Sequence, residues 1–180
     1  MTSILIPIAD GSEEIEAVTL INVLRRAGFD VTVASVSQLE IKGARQIKLT
    51  ADKKLEECQH ESFDGIFLPG GMPGATNLAA CEPLIAMLKK HAGADKYYGA
   101  ICASPAVVLA ANGLLDGKKA TTYPGFEAKL PDQTCAQERV VADGNCITAQ
   151  SPGSAQEFAL RIIAHLAGEG KSKEIRGDLC

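Results

Sequence analysis

Short apolar runs alternate along the chain with longer segments in which apolar residues recur every three or four positions. Continuous apolar runs are typical of strands buried on both faces of a parallel sheet, whereas the longer spacing is typical of helices with one buried face. The runs predict strands at 3–9, 31–36, 47–49, 65–68, 97–101 and 120–123. The longer segments predict helices at 13–28, 82–92, 104–111 and 154–167, and a helical turn at 55–58.

Two further runs, 139–142 and 145–149, flank the pair Asp143-Gly144, a combination that favours a hairpin. Elsewhere strands and helices alternate, and this order predicts a mostly parallel sheet with helices on both faces. The 180 residues contain no repeat, long linker or low-complexity stretch. We therefore expect a single domain over 1–180, because domains commonly have about 100–200 residues.

Composition and charge narrow the classes of protein that this pattern allows. Hydrophobic residues make up 46% of the chain and charged residues 22%, as in globular proteins with a substantial core. The net charge is -4, and Lys and Arg are adjacent only in pairs, so we expect neither specific nucleic-acid binding nor membrane binding. No apolar segment approaches the ~18 residues that cross a membrane.

Six cysteines and three histidines are the most informative part of the composition. The first residues lack the positive region of a signal peptide, and no two cysteines have the CxxC spacing of zinc or redox sites. We therefore expect reduced thiols, a cytoplasmic location, no metal and no other cofactor. Five cysteines lack an activating context and are expected to be packing or surface thiols: Cys58, Cys81, Cys135, Cys146 and Cys180. Structural or surface positions are likewise expected for His60, His91 and His165.

Cys102 occupies a sharp turn between a predicted strand and a predicted helix, at the edge where open parallel sheets bind ligands. Small residues lie two positions to either side of it, as in a nucleophile elbow. Ser104 is expected to cap the helix and Pro105 to begin it, which would place Cys102 at a helix N-terminus that favours the thiolate. The alternative is a buried structural cysteine, the commonest state of a free thiol.

Glu16 is the second candidate for chemistry. On a helix that begins at Glu13 it shares a face with Leu20, so its carboxyl is expected at the N-terminal end of the buried side, facing the same sheet edge as Cys102. Burial there would raise the pKa of the carboxyl and let it donate a hydrogen bond to a thiolate or move a proton. The alternative is an acid of the first helical turn that interacts with the helix dipole.

The turn Pro69-Gly70-Gly71 follows another predicted strand. Glycines let the backbone approach a neighbouring side chain closely and present N–H groups to an anion. A plain chain reversal is the commoner reason for a glycine pair after a strand. The glycine motifs of dinucleotide and triphosphate sites are absent.

Five motifs, which follow one another over nearly the whole chain, resemble the ThiJ/PfpI superfamily, in the branch of the parkinsonism-associated deglycase and the bacterial YajL chaperone. The motifs lie at 11–16, 68–71, 100–105, 120–124 and 151–154. The resemblance implies a flavodoxin-like three-layer α/β sandwich and a homodimer. It makes Cys102 the reactive elbow cysteine and Glu16 the acid that contacts its sulfur. It also implies an anion pocket formed by Gly70 and by the backbone N–H groups of Gly71 and Ala103.

The resemblance places Arg45 and Arg26 near the site at a dimer interface.

Two positions depart from the pattern of related proteins. Tyr123 occurs where related members have a histidine near the cysteine, so a Cys–His pair is not expected. Ala103 occurs where protease-like members have a histidine directly after the cysteine, which makes peptide hydrolysis a poor hypothesis.

Proteins of this kind are linked to oxidative and carbonyl stress, and the leading hypothesis is a glyoxalase or deglycase. Cys102 would act on methylglyoxal, glyoxal or their glycated adducts. The alternative is a redox-sensing chaperone for unfolded client proteins, whose cysteine oxidises to a sulfinate with little turnover. A flavodoxin-like binding domain is the weakest hypothesis, because no phosphate-binding loop is present.

Overall fold

The computed structural model of the chain describes residues 1–179. Within this range the strands are β1 Ser3–Ile8, β2 Asp30–Ser35, β3 Glu40–Lys42, β4 Lys48–Thr50, β5 Lys53–Lys54, β6 Gly65–Leu68, β7 Tyr97–Ile101, β8 Val140–Asp143 and β9 Cys146–Ala149. Seven of them form a sheet in the order β5-β2-β1-β6-β7-β9-β8, while β3 and β4 form a separate antiparallel hairpin. All neighbours in the large sheet are parallel except β8 and β9. The order β2-β1-β6-β7-β9 is that of a flavodoxin-like sheet.

The helices connect these strands and cover the sheet. They are α1 Glu14–Arg26, α2 Leu55–Cys58, α3 Gly74–Ala79, α4 Glu82–Gly93, α5 Ala155–Ala167 and α6 Glu169–Asp178. After β7 the chain forms a π-helix, Pro105–Leu109, that continues as a 3-10 turn, Ala110–Asn112. None of the helices in residues 1–179 has the length and apolar character needed to cross a membrane.

Two hydrophobic clusters, one on each face of the sheet, form the core. Ile4, Ile6 and Ile8 of β1 belong to the cluster that contains the buried faces of α1 and α5. Leu5 of the same strand belongs to the cluster that contains apolar residues of α2, α3, α4 and the π-helix. Because successive strand residues point to opposite faces, one apolar run supplies both clusters, and each fully buried aliphatic side chain contributes about 2 kcal/mol. The predicted α/β sandwich with helices on both faces is confirmed.

The predicted strand at 120–123 is wrong. The threonines of this segment are buried, but the segment joins no strand ladder. Side chains make its bonds instead: Thr121 N–H donates to Thr148 Oγ1 at 3.0 Å, and Thr121 Oγ1 donates to Ala136 O at 2.9 Å. The prediction of burial from this run is therefore correct. The segment is not a strand because no neighbouring strand forms ladder hydrogen bonds with it.

Two helices have no counterpart among the predicted elements. α3 lies within a segment rich in glycine and proline, residues that normally mark turns. α6 is mostly polar and docks on α5 through the buried residues Ile175 and Ser172, whose hydroxyl donates to Leu160 O at 2.8 Å. The strands β3 and β5 are also additional to those predicted. They are three and two residues long, too short to show a period in the sequence.

Candidate active site

Three loops meet at the carboxyl ends of β1, β6 and β7, which are adjacent in the sheet. Two hydrogen bonds join the first loop and α1 to the second loop. Glu13 N–H donates to Gly70 O at 3.0 Å, and Gly70 N–H donates to Glu16 Oε2 at 2.6 Å. The start of α1 and the glycine turn after β6 are therefore locked together.

Cys102 follows β7 in a left-handed backbone conformation, with φ of 65°. For a residue with a Cβ this conformation costs roughly 1–2 kcal/mol, so surrounding contacts must maintain it. Cys102 N–H donates to Ala149 O at 2.9 Å. The Cys102 carbonyl accepts bonds from Thr122 Oγ1 and from Tyr123 N–H, both at 2.8 Å. Three hydrogen bonds thus hold a strained elbow that places the thiol at the edge of the sheet.

Gly70 lies so close to this elbow that no side chain fits there. A Cβ on Gly70 would lie 2.6 Å from Cys102 Cβ and 2.8 Å from Ile101 O. Gly71 has φ of 89°, and a Cβ on it would collide with the backbone of Gly11 and Glu13. The glycine pair is therefore required because the backbones of the three loops approach one another closely. Reversal of the chain alone does not account for it.

The Cys102 sulfur faces two backbone donors. The N–H groups of Gly71 and Ala103 interact with it and lower the pKa of the thiol, so both favour the thiolate. The structure thus places both amides named from the sequence around the sulfur. Ser104 is buried behind them, and its Oγ donates to Pro69 O at 2.6 Å, which ties the elbow to the turn after β6.

Glu16 lies on the buried face of α1 with its side chain fully buried. Its Oε2 accepts the Gly70 bond, and its Oε1 is buried without a hydrogen-bond partner among residues 1–179. Burial raises the pKa of this carboxyl to about 7, and the Gly70 bond opposes the increase. Interaction with the Cys102 thiol shifts it as well, so the two groups titrate as a coupled pair.

The predicted helix N-terminus is present, with Pro105 as its first residue, but it does not give the Cys102 thiol a low pKa. Burial, and after it the negative charge of Glu16, raise the pKa of the Cys102 thiol to about 12, and the Gly71 and Ala103 amides only oppose this. Ser104 makes no capping bond, because its hydroxyl is directed to Pro69, and the helix that follows is a five-residue π-helix. A reactive thiolate therefore requires that Glu16 hold the proton.

Tyr123, Arg45 and Arg26, the other residues named from the sequence, differ in how they contact the site. Tyr123 contributes its backbone N–H to the elbow, while its side chain is 42% exposed. Arg45 lies in the exposed turn between β3 and β4, and its N–H donates to Glu14 Oε1 at 2.7 Å. Arg26 ends α1, about 15 Å along the helix axis from Glu16, and within one chain it does not reach the site.

Two residues of the elbow, Thr122 and Ser104, were not identified as functional from the sequence. Both are fully buried, and each donates a hydroxyl to a backbone carbonyl of the site. Both hydroxyl side chains lie inside or beside apolar runs of the sequence, which predicts their burial. Because a buried hydroxyl needs a hydrogen-bond partner, this pattern could have identified them.

The other cysteines and the histidines lie elsewhere. Cys58 and Cys146 are buried, Cys81 and Cys135 are half-buried, and Cys180 lies outside the described residues. His91 is buried, with Nε2 3.0 Å from Phe63 O. The part of the chain that the structure describes contains no group of three or more His, Cys, Asp or Glu side chains arranged to hold a metal ion.

The fold and the site define a class of protein: a flavodoxin-like α/β domain with a cysteine on a strand-to-helix elbow, beside a buried carboxyl and two backbone amides. The family model of the DJ-1/PfpI family matches residues 2–165, and the chain belongs to this family. The resemblance to the ThiJ/PfpI superfamily is thereby confirmed.

Similar proteins are known from plants, animals and a protozoan. Protein DJ-1 homolog A of Arabidopsis thaliana is 51% identical over 173 residues, which cover 96% of this chain and 44% of that protein. Glutathione-independent glyoxalase DJR-1.2 of Caenorhabditis elegans is 34% identical over 179 residues, or 98% of this chain and 94% of that protein. The structure of oxidized Toxoplasma gondii DJ-1 superposes with a TM-score of 0.97 at 43% identity, covering 99% of this chain and 98% of that one. The chain thus spans less than half the length of the Arabidopsis relative.

Proposed function

We propose that the chain is a cysteine-dependent glyoxalase or deglycase that acts on methylglyoxal, glyoxal and their glycated adducts. The observation that carries the proposal is the buried pair of Glu16 and Cys102 beside the N–H groups of Gly71 and Ala103. The relative named as a glutathione-independent glyoxalase supports the same class of substrate. No histidine takes part, so Glu16 is the group that moves protons.

The first step is addition of the sulfur to an aldehyde. With the shared proton on Glu16, the thiolate attacks the carbonyl carbon, a C–S bond forms, and the π electrons move to oxygen. The Gly71 and Ala103 amides stabilise the resulting oxyanion, and Glu16 transfers its proton to it, giving a hemithioacetal.

The later steps need only Glu16 and water. With methylglyoxal, the Glu16 carboxylate removes the proton from the former aldehyde carbon and returns it to the neighbouring carbon, while the hydroxyl proton moves from the oxygen of the first carbon to the oxygen of the second. The hemithioacetal thereby becomes a lactoyl thioester. Water then hydrolyses the thioester to lactate and restores the thiol, so one methylglyoxal and one water yield one lactate.

Methylglyoxal consumption by four proteins tests the proposal: wild type, Cys102→Ser, Glu16→Gln and Cys135→Ser. We expect Cys102→Ser to reduce the rate to background and Glu16→Gln to lower it about 100-fold, the usual scale for loss of a positioned acid–base group. Cys135 is a half-buried thiol in a loop and provides the matched control, with an unchanged rate. A Cys102→Ser variant as active as the wild type would contradict the proposal.

A redox-sensing chaperone is the second candidate function. The same amides and the protonated Glu16 would hydrogen-bond to the oxygens of a Cys102 sulfinate, and one similar structure is that of an oxidized protein. After mild peroxide treatment, mass spectrometry is expected to find oxidation first on Cys102. Earlier oxidation of Cys135 or Cys180 would argue against this function, and suppression of client aggregation would test the chaperone role.

We also propose a homodimer formed through α1, in the cytoplasm, where free thiols stay reduced. Ile15 and Val18 of α1 and the nearby Ile47 are large apolar side chains exposed on the single chain. Arg26 lies beside Val18 on the same surface, where a second chain would bring it toward a site. Sedimentation of the wild type as a monomer would contradict this arrangement.

A further inference from the structure

The hydroxyl of Thr122 is the one side-chain donor to the Cys102 carbonyl among residues 1–179. Thr122 is fully buried, and its Oγ1 lies 2.8 Å from that oxygen. The segment that carries it joins no strand ladder, so this hydrogen bond is not a substitute for a bond of the sheet. It attaches this segment to the elbow.

The geometry of the peptide bond makes this contact relevant to the sulfur. The carbonyl of Cys102 and the N–H of Ala103 belong to one planar trans peptide unit, so they point in opposite directions. Ala103 N–H is one of the two amides that interact with the Cys102 sulfur and lower the pKa of the thiol. A donor that orients the carbonyl oxygen therefore also aims the N–H at the sulfur, and it strengthens that N–H as a donor by polarising the peptide.

The conformation of Cys102 explains why such a donor is needed. A left-handed backbone is disfavoured for cysteine, so hydrogen bonds to the adjoining peptide groups must maintain it. Tyr123 N–H also donates to the Cys102 carbonyl oxygen, at 2.8 Å. This donor is a backbone group, so a substitution at position 122 does not remove it. The Thr122 hydroxyl is thus the part of the restraint that depends on residue type.

We propose that Thr122 is a positioning residue: its hydroxyl orients the Cys102–Ala103 peptide so that the Ala103 amide faces the Cys102 sulfur and the oxyanion formed there. The effect on the thiol is independent of any substrate. The effect on oxyanion stabilisation rests on the proposed function.

The neighbouring Thr121 provides a matched control. It is equally buried, and its hydroxyl also donates to a backbone carbonyl, that of Ala136 at 2.9 Å. That carbonyl lies in a different loop. Thr121→Val and Thr122→Val therefore each remove one buried hydrogen bond from a hydroxyl to a backbone carbonyl. Only the bond of Thr122 belongs to the elbow.

The test measures Cys102 alkylation by iodoacetamide against pH in the wild type, Thr122→Val, Thr122→Ser and Thr121→Val. Since the Ala103 amide lowers the pKa of the thiol, its loss in Thr122→Val is expected to move the alkylation midpoint to higher pH. The rate at a fixed pH below the midpoint should fall about three- to tenfold, the scale of one hydrogen bond. Thr122→Ser keeps the donor and should restore the wild-type profile.

An unchanged midpoint in Thr122→Val, or an equal shift in Thr121→Val, would overturn the proposal. Thr122→Ala removes the same donor without placing a methyl group against the carbonyl, and it gives the same test if the valine variant does not fold. Methylglyoxal kinetics separate the two proposals: Thr122→Val should lower kcat with little change in KM. If the wild type consumes no methylglyoxal, the proposed function fails while the alkylation profiles still decide the role of Thr122.

Discussion

Cys102, directly after β7, and Cys146, on the neighbouring strand β9, are both buried thiols, yet only Cys102 has the surroundings of a reactive group. Burial raises the pKa of each to about 12. Cys146 begins β9 and pairs with Tyr98 in the ladder. The Tyr98 hydroxyl donates to Leu114 O at 2.7 Å, so it completes a structural bond. Cys102 instead lies in a strained elbow beside Glu16 and two amides.

Burial by itself therefore does not make a thiol reactive. Burial opposes the thiolate at both positions. At Cys102 a carboxyl with a pKa near 7 lies close enough to hold the proton, and two N–H groups face the sulfur. At Cys146 the neighbouring group is the Tyr98 phenol, and burial raises the pKa of this phenol further. Tyr98 therefore stays protonated near neutral pH and cannot take a proton from the thiol.

The largest expected contrast is in alkylation of the native protein. Cys102 is 8% exposed, whereas Cys146 is 1% exposed within a strand ladder and is reached only when the sheet opens. Because such opening costs much of the global stability, we expect Cys102 to react more than about 1,000-fold faster. Timed alkylation followed by peptide mass spectrometry measures both rates in one sample. Comparable alkylation rates for the two thiols would contradict this prediction.

Gly70→Ala is expected to damage the elbow while leaving the Cys146 region intact. The new Cβ would lie 2.6 Å from Cys102 Cβ, and backbone groups rather than flexible side chains must move. We expect the free energy of unfolding to fall by about 3 kcal/mol, together with loss of methylglyoxal consumption. Urea unfolding measures the first effect. Gly117→Ala is not a suitable control because of its positive φ, whereas Gly170→Ala meets no neighbouring atom and should cost little.

Glu16→Gln should change how stability depends on pH. The folded state raises the pKa of Glu16 from 4.5 to about 7, so it holds the proton more tightly than the unfolded chain. The resulting stabilisation is fully present below about pH 4.5 and is lost as pH rises through 7. Between pH 5 and pH 8 it amounts to about 2–3 kcal/mol.

Glutamine is neutral throughout this range and keeps an oxygen for the Gly70 N–H, so the variant should lose less stability on going from pH 5 to pH 8. Urea unfolding of both proteins at the two pH values gives the difference. Glu157→Gln, which breaks an exposed ion pair with Arg139, is the control and should retain the wild-type pH dependence. Parallel curves for wild type and Glu16→Gln would show that the carboxyl has no raised pKa.

The smallest effect is expected from Tyr98→Phe in the Cys146 region. The substitution removes the bond to the Leu114 carbonyl and should lower the free energy of unfolding by about 1 kcal/mol. The alkylation profile of Cys102 should stay the same, because no group of the elbow contacts the phenol oxygen. A change in that profile would mean that the two regions are coupled through β7.

Much of the framework could be predicted from local patterns. The strands Gly65–Leu68 and Tyr97–Ile101 have the predicted bounds, because short buried runs end sharply at glycine, proline or the elbow. α1 lies within the predicted range, and Glu16 lies on its buried face as its helical spacing indicates. α6 could not be predicted in this way, since its stability depends on docking against α5 and its own periodicity is weak.

The alternation of strands and helices, the family, and the positions of Cys102 and Glu16 at one edge of the sheet could be predicted from the amino-acid sequence. Local residue types are sufficient for this, because period, turn chemistry and motif spacing are properties of short segments. The raised pKa values of the two groups and the hydrogen bond from Thr122 to the Cys102 carbonyl depend on the tertiary structure. Burial, the Glu16 charge and the orientation of the Cys102–Ala103 peptide arise from groups that are distant in the sequence and meet only when the sheet forms.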